Sequence, residues 1–320
     1  MTCNQAFVYL TGGFGNQMFQ VAAAKSLNAK KIKLIKDIGR PRVNSEGNPE
    51  ILDVNCGIET EEFEVKHHNK FIIKVFGYLL RSSIAPNLME RLFLRKLMRI
   101  VGSRIINYEL GTKVQIMYSD NVGFREFERK SSNILLIGYF QSYRFLDEAR
   151  NRNQMINQSI FANRDSRPTG PSGRKTRLVI HYRLGDYKLD KAFGILSPDY
   201  YIRATSIVRQ QMQIDEVWIF SDEIDSAKRI LGDGLFPNAV WVDPKKHTTE
   251  SSFELMRQGD AYIIGNSTYS WWAATLSHEE PKMVIAPLPW FAEMDEPRFL
   301  VPPEWQRVET EFINGEKKNY

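Results

Sequence analysis

The amino-terminal stretch leaves little choice of fold. Phe7 to Leu10 is apolar, Gly12-Gly13-Phe14-Gly15 turns the chain, Met18 to Leu27 carries apolar residues at helical spacing, and Ile32 to Ile35 is apolar again. Strand, glycine turn, helix and strand in that order open a parallel α/β sheet. The polar stretch 40–57, with its Pro, Gly and Asn, reads as a loop leaving that sheet, a place where function often sits.

The same alternation returns downstream. Ile134 to Phe140 (ILLIGYF) is a buried strand ending at Gln141-Ser142, and a helix from Phe145 onward closes a first domain. The stretch 163–175 (NRDSRPTGPSGRK) mixes Pro, Gly, Ser and charge without apolar period and reads as a linker. Behind it the pattern predicts strands at Leu178 to His181, Glu216 to Phe220, Val240 to Val242, Ala261 to Gly265 and Met283 to Ala286. Helices are predicted at Pro198 to Met212, Phe253 to Gln258 and Tyr269 to Leu276. The expected organisation is an α/β domain over 1–162 with a helical insertion, a linker over 163–176, and a second α/β domain over 177–320. The insertion includes Leu88 to Val101 (LMERLFLRKLMRIV), a basic amphipathic helix that either packs on its own core or docks on a membrane surface.

Composition bounds the rest. With 320 residues, 42% hydrophobic and 25% charged, the chain has the proportions of a folded two-domain globular protein. Its net charge of +5 is mild, with both signs interspersed, and no zinc spacing or RNA-binding signature accompanies it, so nucleic acid is not an expected partner. Only Cys3 and Cys56 are present, too few for a disulfide framework, which favours a reducing compartment. Asn4 and Gln5 interrupt the start, so no signal peptide is apparent, and no apolar run approaches a membrane span of roughly 20 residues.

Three segments carry chemistry. Gly12-Gly13-Phe14-Gly15-Asn16-Gln17 sits between strand and helix, where glycine lets the backbone approach a ligand closely. It is no Walker loop, and Met18 replaces the third glycine of the dinucleotide pattern. Asp37 at a ribose-binding distance keeps a nicotinamide reading open beside a purely structural turn. The second, VIHYRLGDYKLD, runs off an apolar strand, which aims its residues into the ligand crevice of a parallel sheet. Arg183 has the planar fork that binds phosphate oxygens in pairs, His181 can donate to a nucleotide, and Asp186 can orient Arg183 or interact with the acceptor, where it is the first choice of general base beside Asp190 and His181. On these residues alone a surface ion pair between Arg183 and Asp186 is an equal reading. The third, Gly265 to Ala274 (GNSTYSWWAA), ends a strand and starts a helix. Ser267, Thr268 and Ser270 can cap it, its N-terminus can hold an anion, and Trp271 and Trp272 read as core.

Taken in order, GGFGNQMFQ, GYFQSYRF, HYRLGDY, FSDE and NSTYSWWAA resemble glycosyltransferase family 11, the alpha-1,2-fucosyltransferases, over roughly residues 7 to 290. The resemblance implies a GT-B-like fold, two Rossmann-like parallel-sheet domains facing a cleft, the first on the acceptor side and the second binding GDP-fucose. It implies inverting transfer of L-fucose to a galactose 2-hydroxyl of a glycan, with no obligatory metal and no cofactor beyond the donor substrate. Carried over by position, Arg183, Asp186 and His181 are the catalytic set. Gly13, Gly15, Asn16, Gln17, Asp222, Ser267, Thr268 and Tyr269 form the donor-binding set, with Asn16 near the fucosyl group and Ser267 to Tyr269 as the phosphate loop. Read by itself, Asp222 to Asp225 is a strand-end turn and helix start. Relatives in bacteria act on lipid-linked acceptors, which implies a cytoplasmic protein peripheral on the inner face of the membrane. Two positions depart from the family pattern. Leu184 stands where a second arginine is common, and Ser252, eight positions before Asp260, stands where related enzymes place a guanine-binding aspartate, with Glu250 and Glu254 nearby. A fucosyltransferase of other linkage or with a protein acceptor, and a non-catalytic nucleotide-sugar-binding protein, are the alternatives.

Overall fold

The computed structural model describes residues 3–36, 60–62, 107, 110–119, 128, 130–146, 175–232, 234–278, 281 and 283–313. Asp37, Cys56, the loop 40–57, the basic helix Leu88 to Val101 and the linker up to residue 174 lie outside them. The described residues fall into two compact units, one running to Leu146 and including Pro297–Leu300, the other holding the rest.

In the first unit, strands β1 (Gln5–Leu10), β2 (Lys31–Lys36), β3 (Thr60–Glu62), β4 (Gln115–Ser119) and β5 (Asn133–Gly138) form a sheet in the order β3-β2-β1-β5-β4. Every pairing is parallel, with Gln5 level with Lys31 on one side and Asn133 on the other. The central strands β1 and β5 are buried from their second residue to their last, which is why both read as unbroken apolar runs. Short β3 and half-exposed β4 lack such a run and escape the sequence pattern.

The crossover from β1 to β2 is helix α1 (Phe14–Ser26), which begins earlier than the predicted Met18. Gly13 is its N-cap in extended conformation (φ −78°, ψ 176°), and its carbonyl already accepts from the amides of Asn16 at 3.0 Å and Gln17 at 3.1 Å. The expected four-residue turn is therefore shorter than GGFG. Only Gly12 takes a left-handed φ (+78°), and a Cβ there would lie 2.7 Å from Asn16 Nδ2, while Gly15 belongs to the first helical turn.

The second unit contains strands β6 (Arg177–Tyr182), β7 (Ile195–Leu196), β8 (Glu216–Ser221), β9 (Val240–Val242), β10 (Ala261–Ile263), β11 (Met283–Leu288), β12 (Gln306–Glu309) and β13 (Phe312–Ile313). Its helices are α2 (Pro198–Gln211), α3 (Ile224–Leu231), α4 (Thr249–Met256) and α5 (Thr268–Thr275). Six strands form a parallel sheet in the order β12-β11-β10-β6-β8-β9, and β7 pairs antiparallel with β13. Helix α4 starts before the predicted Phe253 because the Thr248 side chain caps it, accepting from the Ser251 amide at 3.2 Å. Trp271 and Trp272 are fully buried, the core role their apolar helix indicates.

This topology decides where a site can lie. From β6 the chain winds outward through β8 and β9, then returns to the other side of β6 as β10 and winds outward through β11 and β12. The reversal leaves the loops after β6 and β10 diverging from neighbouring strand ends, the place where doubly wound sheets take ligands. In the first unit the chain winds outward from β1 through β2 and β3, returns at the opposite edge as β4 and ends inward at β5, beside β1.

Candidate functional site

Arg183 directly follows β6 at this reversal. One terminal nitrogen lies 2.6 Å from Asp186 Oδ1 and the other 2.8 Å from Asp222 Oδ2. Its side chain is 14% exposed, so the pair with Asp186 is not the solvated surface pair that its residues alone allowed. Burial by itself would lower the Arg183 pKa. The carboxylates of Asp222 and Asp186 more than offset it and hold the guanidinium above its ordinary value. Asp222 comes from the end of β8, level with β6 through the pairing of Tyr182 with Ser221, and its Oδ1 accepts from the Leu184 amide at 2.9 Å. A Cβ on Gly185 would stand 2.3 Å from Asp222 Oδ2, so this close approach requires glycine there. One N–H of the guanidinium donates to Asp186, and the ion pair with Asp222 holds its other terminal nitrogen, so the two carboxylates together fix its plane.

Leu184 itself is fully buried in the core of the unit. An arginine in its place would drive a charge into that core, so the position cannot supply a second guanidinium in this backbone conformation.

The loop after β10 runs through Asn266 to α5. Ser267 is the N-cap, its hydroxyl accepting from the Tyr269 amide at 3.3 Å, and Thr268 and Tyr269 form the first turn. The amide end of α5 therefore emerges beside the end of β6, and a direct bond joins them: His181 Nδ1 lies 2.9 Å from Ser270 Oγ. Ser270 Oγ donates to the Ser267 carbonyl at 3.2 Å, which leaves it to accept from a proton on Nδ1 and selects the Nδ1–H tautomer of the uncharged ring. Burial, with the Arg183 charge second, pushes the His181 pKa down to about 3. His181 is only 5% exposed, so it braces the loop rather than presenting Nδ1 to a ligand. Tyr269 packs near both His181 and Phe253 and donates its hydroxyl to the Thr249 carbonyl at 2.6 Å.

Residues that the sequence does not single out complete the frame. Tyr201 and Tyr200 of α2 are fully buried, and their hydroxyls donate to the His181 carbonyl at 3.1 Å and the Ile264 carbonyl at 2.7 Å, the ends of β6 and β10. Tyr182 donates to the Leu196 carbonyl at 3.2 Å and packs edge-on against Tyr201. The paired tyrosines behind Ser197-Pro198-Asp199 are the signal that could have exposed this clamp, since buried phenols need acceptors.

Of the acidic residues near Ser252, Glu254 is engaged elsewhere. It bonds His278 at 2.6 Å and Arg257 at 2.7 Å. Asp260 accepts from the Arg177 amide at 2.8 Å, at the amino end of β6, opposite to Arg183.

In the first unit, Gly13, Gly15, Asn16 and Gln17 gather where α1 starts beside the ends of β1 and β5. Gln17 Nε2 donates to the Gly12 carbonyl at 3.0 Å, and buried Gln20 closes on Thr11 through both backbone groups, at 3.1 and 3.0 Å. Asn16 Oδ1 accepts from Gln141 Nε2 at 2.8 Å, which turns the Asn16 NH₂ away from β5 toward Gly12. Gln141 is a partner that its motif did not announce.

The fold and site define a doubly wound α/β protein whose central strand ends on a pre-oriented guanidinium beside a helix N-terminus. The family model for glycosyl transferase family 11 matches residues 115–308, and the chain belongs to that family. An alpha-1,2-colitosyltransferase of Escherichia coli is 25% identical over 94% of this chain and 97% of its own length. The O-antigen biosynthesis glycosyltransferase WbnK of Escherichia coli is 27% identical over 88% of this chain and 94% of its own. Among solved structures, a variant of Arabidopsis thaliana FUT1 in complex with GDP gives a TM-score of 0.45 at 9% identity, covering 86% of this chain and 68% of that one.

Proposed function

We propose that this glycosyltransferase moves L-fucose from GDP-fucose to the 2-hydroxyl of a galactose in a glycan, with inversion and without an obligatory metal. The observation that carries the reading is Arg183, held by Asp222 and Asp186 at the strand reversal and joined through His181 and Ser270 to the N-terminus of α5. A guanidinium and a helix N-terminus at one crevice suit a diphosphate leaving group. Membership of the family supports sugar transfer. The name of the colitosyltransferase relative supports a 1,2 linkage, and that of WbnK supports a glycan acceptor.

In this mechanism the acceptor oxygen forms a bond to the anomeric carbon as the bond to the GDP oxygen breaks on the opposite face, and the acceptor hydroxyl proton passes late to water rather than to a dedicated base. Negative charge grows on the β-phosphate, where Arg183 and the backbone N–H groups near Ser267 receive it, so a fixed cation and a helix terminus do the work a metal does elsewhere. Asp186 enters chiefly as the group that orients Arg183, because taking the acceptor proton would cost it that contact. His181, neutral and bonded to Ser270, holds the phosphate loop. Asn16, with Gly13, Gly15 and Gln17, serves the fucosyl side from the first domain, and Asp222 acts through Arg183. The acceptor is lipid-linked, and the enzyme works in the cytoplasm, peripheral on the inner membrane face.

The relative's name favours a second donor, colitose, with the same site. Purified protein is incubated with GDP-fucose or its colitose counterpart and a panel of galactose-terminated acceptors, following GDP release and linkage-resolved mass analysis. A 1,2-linked fucosyl product is expected. GDP release only with the colitose donor, or a product linked elsewhere, overturns the assignment.

A further inference from the structure

The two parts of the proposed phosphate site come from different loops, and one side chain touches both. Tyr187 lies in the short helical turn after Arg183. The Arg183 guanidinium sits over its ring at 5.6 Å from the centroid. Its hydroxyl donates to the Asn266 carbonyl at 3.0 Å, in the residue before the N-cap of α5. Its ring stacks on Phe193 at 4.9 Å with 15° between the planes.

Phe193 is in turn fixed to the same loop. The Asn266 side chain, 1% exposed, donates through Nδ2 to the carbonyls of Phe193 at 3.0 Å and Gly194 at 3.2 Å. Tyr187, Phe193 and Asn266 thus form a closed ring of contacts: ring on ring, amide to carbonyl, hydroxyl to carbonyl. Half-buried Tyr187 is placed so that Arg183 cannot swing on its long side chain without leaving the ring face, and Asn266 cannot shift without losing the hydroxyl.

We infer that Tyr187 is a positioning residue that locks Arg183 and the Asn266–Ser267 loop into one preformed site for the β-phosphate. It acts through these two groups, not on the reacting atoms. The inference rests on the proposed reading of Arg183 as the diphosphate holder. Its consequence is specific: the lock matters for a ligand that spans both groups and not for one that stops at the α-phosphate.

The test compares binding of GDP and GMP, by calorimetry, to the parent chain, Arg183→Lys, Tyr187→Phe and Tyr187→Leu, with a thermal melt of each. Tyr187→Phe keeps the ring and deletes only the bond to Asn266. Its GDP affinity is expected to fall about three- to tenfold, the range of one hydrogen bond, with GMP affinity and the melt unchanged. Tyr187→Leu removes the stack as well and is expected to lose more GDP affinity, again sparing GMP. Tyr187→Phe binding both nucleotides as the parent does, or losing both in step with a lower melt, overturns the inference and leaves the reading of Arg183 standing. A parent chain that binds GDP no better than GMP, or an Arg183→Lys variant with unchanged GDP affinity, overturns that reading and the inference with it.

Discussion

Replacing His181 with glutamine should remove most of one acid-dependent loss of stability. In the folded chain, burial and the Arg183 charge hold the imidazole pKa at about 3, against 6.5 when the chain is unfolded. Between those values the unfolded state binds a proton that the folded state refuses. The stability linked to this group is therefore fully present above pH 6.5 and is lost as pH falls toward 3. At pH 5 the loss relative to pH 7.5 comes to about 2 kcal/mol, since each unit below the unfolded pKa costs about 1.4 kcal/mol. Because pH 5 lies well above the folded value, the figure depends almost entirely on the unfolded one.

The assay is urea unfolding of the parent and His181→Gln at both pH values, followed by tryptophan fluorescence. All six tryptophans lie in the unit that contains His181, so the signal reports that unit alone. Glutamine is close to histidine in volume and cannot ionise. Its fixed cost is the same at both pH values and cancels, leaving a parent that loses about 2 kcal/mol more than the variant between pH 7.5 and pH 5. Equal losses in the two proteins would refute the argument and with it the assignment of His181 as a permanently neutral brace.

Three further outcomes follow from the same geometry. Arg183→Lys should lower the transfer rate by about a hundredfold or more, because an ammonium cannot meet both carboxylates and a phosphate through one plane; initial rates of GDP release check this, and a near-parental rate contradicts it. Gly185→Ala places a methyl group 2.3 Å from Asp222 Oδ2 and should cost roughly tenfold or more in rate by misaligning Arg183, with a melt that shifts by only a few degrees; unchanged kinetics would show that Asp222 does not set the guanidinium. Tyr201→Phe strips the buried His181 carbonyl of its phenolic donor and should lower unfolding free energy by about 1–3 kcal/mol in the fluorescence assay, whereas a neutral result would remove the tyrosine clamp from the account.

Much of the architecture is legible along the chain because its causes are local. Buried parallel strands must be apolar on both faces, so β1, β5, β6 and β10 announce themselves as AFVYL, NILLIG, RLVIHY and AYI. Ser267 is identifiable as a cap, and Trp271 and Trp272 as core, from the residues on either side. Where the cause is not local the sequence is silent or misplaces it. Met18 looks like the start of α1 because apolar periodicity begins there, whereas backbone geometry at Gly13 starts the helix sooner. Tyr182 and Tyr187 fall within HYRLGDY and Gln141 within GYFQSYRF, and Tyr200 and Tyr201 in no motif, yet the sequence marks none of them for its role, since a phenol or amide acquires its role only from the carbonyl or side chain that meets it.

The glycine turn and apolar runs with which the chain opens thus determine a parallel α/β protein, and the ordered motifs name Arg183, Asp186, His181 and Ser267 as candidates for one site. Only the tertiary structure sets β6 between β8 and β10. That order brings Asp222 to Arg183, His181 to Ser270 and Tyr187 to Asn266, and it turns an exposed-looking charge pair into an oriented, mostly buried guanidinium. The physical reason is that strand adjacency and burial arise from pairing between distant segments, while local pattern records only which faces of each segment must avoid water.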